Sequence, residues 1–125
     1  MLFRNIPIAK MPPVFQSAYL GELEEIKKFT KSKDFDVNAQ MGSLGITLLH
    51  LAILGGREAI VKHLLQAGAK KLPLNDGQTL LHLAVVSGNT NLVRFFLETA
   101  ERIDPNLPNQ KGATPLHYAM LLQNV

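Results

Sequence analysis

Apolar and polar positions along this chain follow a pattern that repeats itself, most clearly where the apolar runs are densest. Thr-Leu-Leu-His-Leu-Ala occupies residues 47–52, the same six-residue frame returns at 79–84, and Thr-Pro-Leu-His-Tyr-Ala follows at 114–119. A threonine ahead of an apolar run is a helix-start signal, because its hydroxyl can take a free amide of the first turn. After Thr47, the positions of Leu49, Ala52 and Ile53 fall on one side of a short helix that Gly55 and Gly56 end. A second helix is predicted from about Glu58. Its Ile60, Val61, Leu64 and Leu65 have the i, i+1, i+4, i+5 spacing of a buried stripe, and Gly68 offers a left-handed exit. The plan recurs downstream, where Gly88 follows Ala84 as Gly56 follows Ala52, and Leu92, Val93, Phe96 and Leu97 repeat the stripe.

The register is strict. Gly45, Gly77 and Gly112 each precede a motif threonine by two residues, and His50, His82 and His117 share one slot at steps of 32 and 35 residues. A period of this size marks a helical repeat array, in which each unit buries its apolar face against the next. Each copy resembles the ankyrin repeat, whose consensus includes this Thr-Pro-Leu-His-x-Ala run; Leu48 and Leu80 stand in the proline slot of the first two copies. The resemblance covers roughly residues 15–125. It implies an all-α solenoid of stacked helix-turn-helix units joined by hairpin loops.

Along the chain, residues 1–14 carry Pro7, Pro12 and Pro13, which withhold amide donors and predict an extended arm. Its Leu2, Phe3, Ile6 and Ile8 would fold back over the first repeat or serve as a linear peptide for a partner's groove. Residues 15–40 read as a degenerate capping repeat: Gly21, Ile26 and Phe29 align with Gly56, Val61 and Leu64. Ser17, Glu25 and Thr30 replace Ala52, Ile60 and Leu65, which predicts a wet outer face. Residues 41–74 form the first full repeat, ending in Lys70, Lys71 and Leu72 where the family has Asp-x-Asn, so a loosely tied connection is expected. In residues 75–109, Asn75, Asp76 and Gly77 make a turn signal, and three extra residues between Leu97 and Gly112 predict a longer second helix. Residues 110–125 supply a first helix alone, so Phe95 or Phe96 on the far face of the preceding unit is expected to lack full cover. Either the polypeptide continues, or a partner or second copy completes the stack through this terminal repeat.

Charge narrows the partner class. The net charge of +3 comes from 13 basic residues scattered among 10 acidic ones, which leaves no strong polyanion footprint. Nucleic acid is disfavoured; Lys27, Lys28, Lys31, Lys33, Lys70 and Lys71 would be its contacts. The absence of cysteine excludes disulfides and thiolate metal sites and fits a reducing, intracellular compartment, cytoplasmic or nuclear, with delivery into a host cell left open. No apolar run reaches the ~18 residues of a membrane span, and the N-terminal run is broken too early for a signal peptide, so a soluble chain is expected.

Candidate chemistry is sparse. One histidine per layer stacks the imidazoles at successive levels, whereas a zinc site needs ligands converging within ~2 Å of one point. The resemblance implies instead that Thr47 and His50, Thr79 and His82, and Thr114 and His117 tie adjacent turns together. His63, alone beside Lys62, reads as a surface residue. No nucleophile with a base at workable spacing, no phosphate loop and no paired carboxylates appear, so neither catalysis nor a metal or cofactor is expected.

In proteins that this chain resembles, partners meet the hairpin tips and the exposed side of the first helices. Those slots hold Ser43, Leu44, Ile46, Asn75, Asp76, Gln78, Gln110, Lys111 and Ala113 at the tips. On the helices, the slot two after the motif alanine holds Leu54, Val86 and Leu121, with Tyr19 at the matching place in the first repeat. This column is apolar in every layer. The expected function is a non-catalytic protein-interaction module that binds another protein through Tyr19, Leu44, Ile46, Leu54, Gln78, Val86, Lys111 and Leu121. The alternative is a targeting or scaffold part of a larger enzyme or effector whose activity lies outside this chain.

Overall fold

The computed structural model describes residues 10–123; the apolar positions of the expected arm, Leu2, Phe3, Ile6 and Ile8, lie outside them. Seven helices occur among the described residues: α1 (Pro13–Leu20), α2 (Leu23–Thr30), α3 (Leu48–Leu54), α4 (Glu58–Gln66), α5 (Leu80–Ser87), α6 (Thr90–Glu98) and α7 (Pro115–Gln123). Two or three residues connect α1 to α2, α3 to α4 and α5 to α6, short links that make each pair an antiparallel hairpin. The first helices α1, α3, α5 and α7 lie side by side, and α2 packs on α4. Between the two rows runs a continuous core that includes Ile26, Leu49, Leu51, Ile53, Ile60, Leu64, Leu81, Leu83 and Phe96. The all-α repeat stack expected from the pattern is what forms.

Local chemistry explains the helix ends. Thr47 and Thr79 accept the backbone N–H of His50 and His82, and each histidine ring takes the threonine's own N–H in return, closing a reciprocal box at the start of α3 and α5. After α3, Gly56 supplies φ = 69°. Gly55 is there for a different reason: a Cβ at Gly55 would collide with the carbonyl oxygen of Tyr19 in the neighbouring layer.

Several expectations are corrected. Pro13 opens a helix, with Pro12 as the capping residue before it, where an extended arm was expected, because proline at the first helical position gives up only an amide that has no partner there. Ser17 is buried rather than wet, its hydroxyl donating to the Glu22 carboxylate at 2.8 Å. The extra residues after Leu97 do not lengthen α6, which has nine residues like α4. They form a turn instead, in which the Ile103 N–H reaches back to the Phe96 carbonyl at 2.7 Å. Phe96 is fully buried and Phe95 half-buried against it. The connection through Lys70 to Leu72 is firmly held. Asn38 accepts the Lys70 N–H at 2.8 Å and donates to the Gly68 carbonyl, while the Leu72 carbonyl takes a bond from His50.

Candidate functional site

The hairpin tips are built as a ladder that runs across the layers. Met41 and Ile46 exchange backbone hydrogen bonds within the first tip, the Asn75 N–H donates to the Leu44 carbonyl at 2.8 Å, and the Gln110 N–H donates to the Asp76 carbonyl at 2.9 Å. Two side chains repeat the stitch, Asn75 Nδ2 to the Ser43 carbonyl and Gln110 Nε2 to the Asn75 carbonyl. With backbone groups saturated in this way, the tips form a fixed platform rather than free loops.

The motif histidines carry the same stitching into the core. The Thr47 N–H donates to His50 Nδ1 at 2.9 Å, so Nδ1 is the bare nitrogen and Nε2 carries the proton. Nε2 then donates to the Leu72 carbonyl at 2.7 Å in the connection to the next layer. His82 repeats the arrangement with Thr79 and the Ala113 carbonyl, 2.8 Å away. His117 makes the local bonds to Thr114 from an exposed position. Burial holds both His50 and His82 below the usual imidazole range, partly offset by the carbonyl each one bonds and, for His82, by the charge of Asp76. With both ring nitrogens engaged, neither imidazole offers a lone pair to a metal.

Two residues expected at the tips as contacts are withdrawn from the surface. Ile46 is 9% exposed, because its bridge to Met41 turns the side chain into the core. Gln78 is 0% exposed and sits inside a polar network. Its amide donates to Asp76 Oδ2 at 2.7 Å, and Tyr118, forty residues later, donates its hydroxyl to Gln78 Oε1 at 3.0 Å. Burial raises the Tyr118 phenol pKa, against a lowering bond from Asn109. Gln78 is therefore a strut between layers. Leu44 is half-buried and packed on the core, and Lys111 is exposed.

The column on the first helices is partly open. Tyr19, Leu54 and Val86 are half-buried, whereas Ala18 and Ile53 beside the first two are fully buried. Leu121, in the fourth layer, is 63% exposed. On the opposite row, a groove of about 400 Å³ lies between α4 and α6, lined by Lys62, Leu65, Phe95, Thr99 and Glu101. Its charged groups are already engaged: the Lys62 ammonium stands 6.0 Å from the centre of the Phe95 ring, and Glu101 pairs with Lys71 at 2.9 Å. Lys27 and Lys28 likewise face Glu24 and Glu25. Half of the six lysines weighed as polyanion contacts thus have a carboxylate beside them.

Residues 44–75 match the family model for the ankyrin repeat, and residues 70–125 match that for ankyrin repeats in three copies. The chain belongs to the ankyrin repeat family. No curated protein matches it. Ankyrin repeats are generally protein–protein interaction modules, and proteins built from them are typically non-catalytic. No helix among the described residues is long and apolar enough to cross a membrane.

Other ties in this ankyrin array were invisible in the repeat register. His63, expected on the surface, is half-buried, with Nε2 2.8 Å from the hydroxyl of Thr30 on α2. That hydroxyl already donates to the Lys27 carbonyl, so it accepts the imidazole N–H. Arg57 Nε donates to the Tyr19 carbonyl at 3.0 Å, and Asn89 Nδ2 to the Gly56 carbonyl at 3.1 Å. Each of these side chains stands at the start of a second helix and holds it over the end of the preceding layer's first helix. In the sequence they are ordinary polar residues at positions where no motif applies.

Proposed function

We propose that this ankyrin array binds a segment of another protein along the column Tyr19, Leu54, Val86 and Leu121, bordered at the hairpin tips by Leu44 and Lys111. The observation that carries the reading is the recurrence of a partly exposed apolar side chain at one slot in each layer, beside a rigid platform of polar tips. An apolar centre with a polar rim is the anatomy of a specific protein interface. The ladder through Asn75 and Gln110 favours it further, because a preorganised surface loses little conformational entropy on binding. Ile46 and Gln78 take no direct part and support the platform from beneath.

The polar double variant Leu54→Gln/Val86→Gln tests this. Circular dichroism establishes that it keeps its helices. Affinity capture from a lysate is then run beside the unaltered chain and the tip variant Lys111→Glu. A protein retained by the unaltered chain and lost from the folded double variant supports the column. Equal retention by all three moves binding to another face and ends the proposal.

A further inference from the structure

Charge divides the two rows of helices completely. The first helices α1, α3, α5 and α7 contain no Asp, Glu, Lys or Arg, whereas α2, α4 and α6 each carry both signs. The column therefore runs along an uncharged face. A charge laid on it by a partner would lose its hydration and find no counter-charge, so the part of a segment that covers the column is itself uncharged. Charge returns at the tip edge, at its two ends. Lys111 stands on the tip of the fourth layer, and Lys10, 35 residues before Gly45, holds the matching place in the first. Both are exposed, and neither pairs with a carboxylate among the described residues. Asp76 is the one acid on the tips between them, and both of its carboxylate oxygens accept bonds from Gln78. On the column's other edge, Glu22, Arg57 and Glu58 are of mixed sign and already engaged, with the Ser17 hydroxyl, the Tyr19 carbonyl and the Asn89 amide. The tip edge is thus positive at both ends and offers no free charge between.

We infer that the segment bound along the column is extended, apolar and uncharged in its middle, and acidic at both ends, one acid meeting Lys10 and the other Lys111; this inference rests on the column reading given above. Width argues for the extended form. Every residue of α3 except Leu54 is buried, so the open strip there is one side chain wide, too narrow a seat for a helix about 10 Å across. Length sets the spacing of the acids. First helices packed about 8–10 Å apart put the first and fourth layers roughly 24–30 Å apart, a span that an extended chain covers in about seven to nine residues. Exposed ion pairs add little affinity each, but complementary charge at two ends fixes where a segment lies. The lysines then choose among apolar segments that the column alone would accept equally.

The test is selection of random peptides displayed on phage against the whole chain, with the folded Leu54→Gln/Val86→Gln variant used to identify the column-dependent clones. Those clones should share an uncharged apolar middle with Asp or Glu at both ends. A synthetic copy of one should bind Lys10→Glu/Lys111→Glu at least about threefold more weakly at low salt, with the difference shrinking as salt screens the exposed pairs. Selection against that charge-reversed chain should enrich Lys or Arg at the same two ends. Column-dependent peptides without terminal acids, or equal affinity for the charge-reversed chain, would overturn this inference and leave the column standing. If every selected peptide bound the Leu54→Gln/Val86→Gln variant as well as the unaltered chain, the column reading itself would fall, and this inference with it.

Discussion

At the scale of single residues, the histidines do structural work that depends on their neutral form. His82 accepts one buried amide and donates to a carbonyl in the next layer, so His82→Ala leaves both groups unsatisfied. It should cost about 2–4 kcal/mol, read from the urea midpoint, whereas exposed His117→Ala should cost less than about 1 kcal/mol. The same geometry sets a pH dependence. Burial lowers the native pKa of His50 and His82 below the ordinary 6.5. Above that pH both native and unfolded chains hold neutral rings, and stability is at its full value. As pH falls from 6.5 toward the native pKa values, only the unfolded chain takes up the protons, so stability declines. Urea midpoints should be flat between about pH 7 and 8 and fall below about pH 6.5, with a shallower fall in His50→Gln.

The threonine and histidine roles were legible in sequence because their partners lie three residues away inside one helical turn. Gln78 was not. Its burial depends on Tyr118, forty residues downstream, and on Asp76 presenting both carboxylate oxygens to it. A slot that is exposed in the repeat pattern was filled here by a distant aromatic ring.

Among helices, the short connections and inter-layer contacts set the geometry. Gly55 allows α1 and α3 to approach, and the group it faces is backbone that cannot swing aside. Gly55→Ala should therefore destabilise the chain by about 1–3 kcal/mol, measured by thermal or urea unfolding. Asn89 caps α6 by accepting the Leu92 N–H and anchors it to the Gly56 carbonyl. Asn89→Ala should lose about 1–2 kcal/mol and raise hydrogen exchange first in α6. The first helix after Thr47, ended by Gly55 and Gly56, and the second from about Glu58 were readable from cap and stripe, and α3 and α4 lie there. The misreadings fell where one residue type has two uses. Pro12 and Pro13 can stiffen an extended strand or start a helix, and inserted residues after Leu97 can lengthen a helix or fold into a turn.

For the whole molecule, the repeat architecture was readable because three copies in one register leave little freedom in how units stack. The candidate surface was only half readable. Sequence placed the apolar column at Tyr19, Leu54, Val86 and Leu121, but could not say which tip residues face solvent, since the ladder between Leu44, Asn75 and Gln110 and the network under Gln78 form only in the stack. On the proposed function, this platform and column form one preorganised surface for a protein segment. Hydrogen exchange of the chain alone and in complex with its captured partner measures that directly. The predicted result is added protection in α1, α3 and α5 and at the tips around Leu44 and Lys111. Protection confined to α2, α4 and α6 would place the partner on the opposite row of helices and rule out binding along the column.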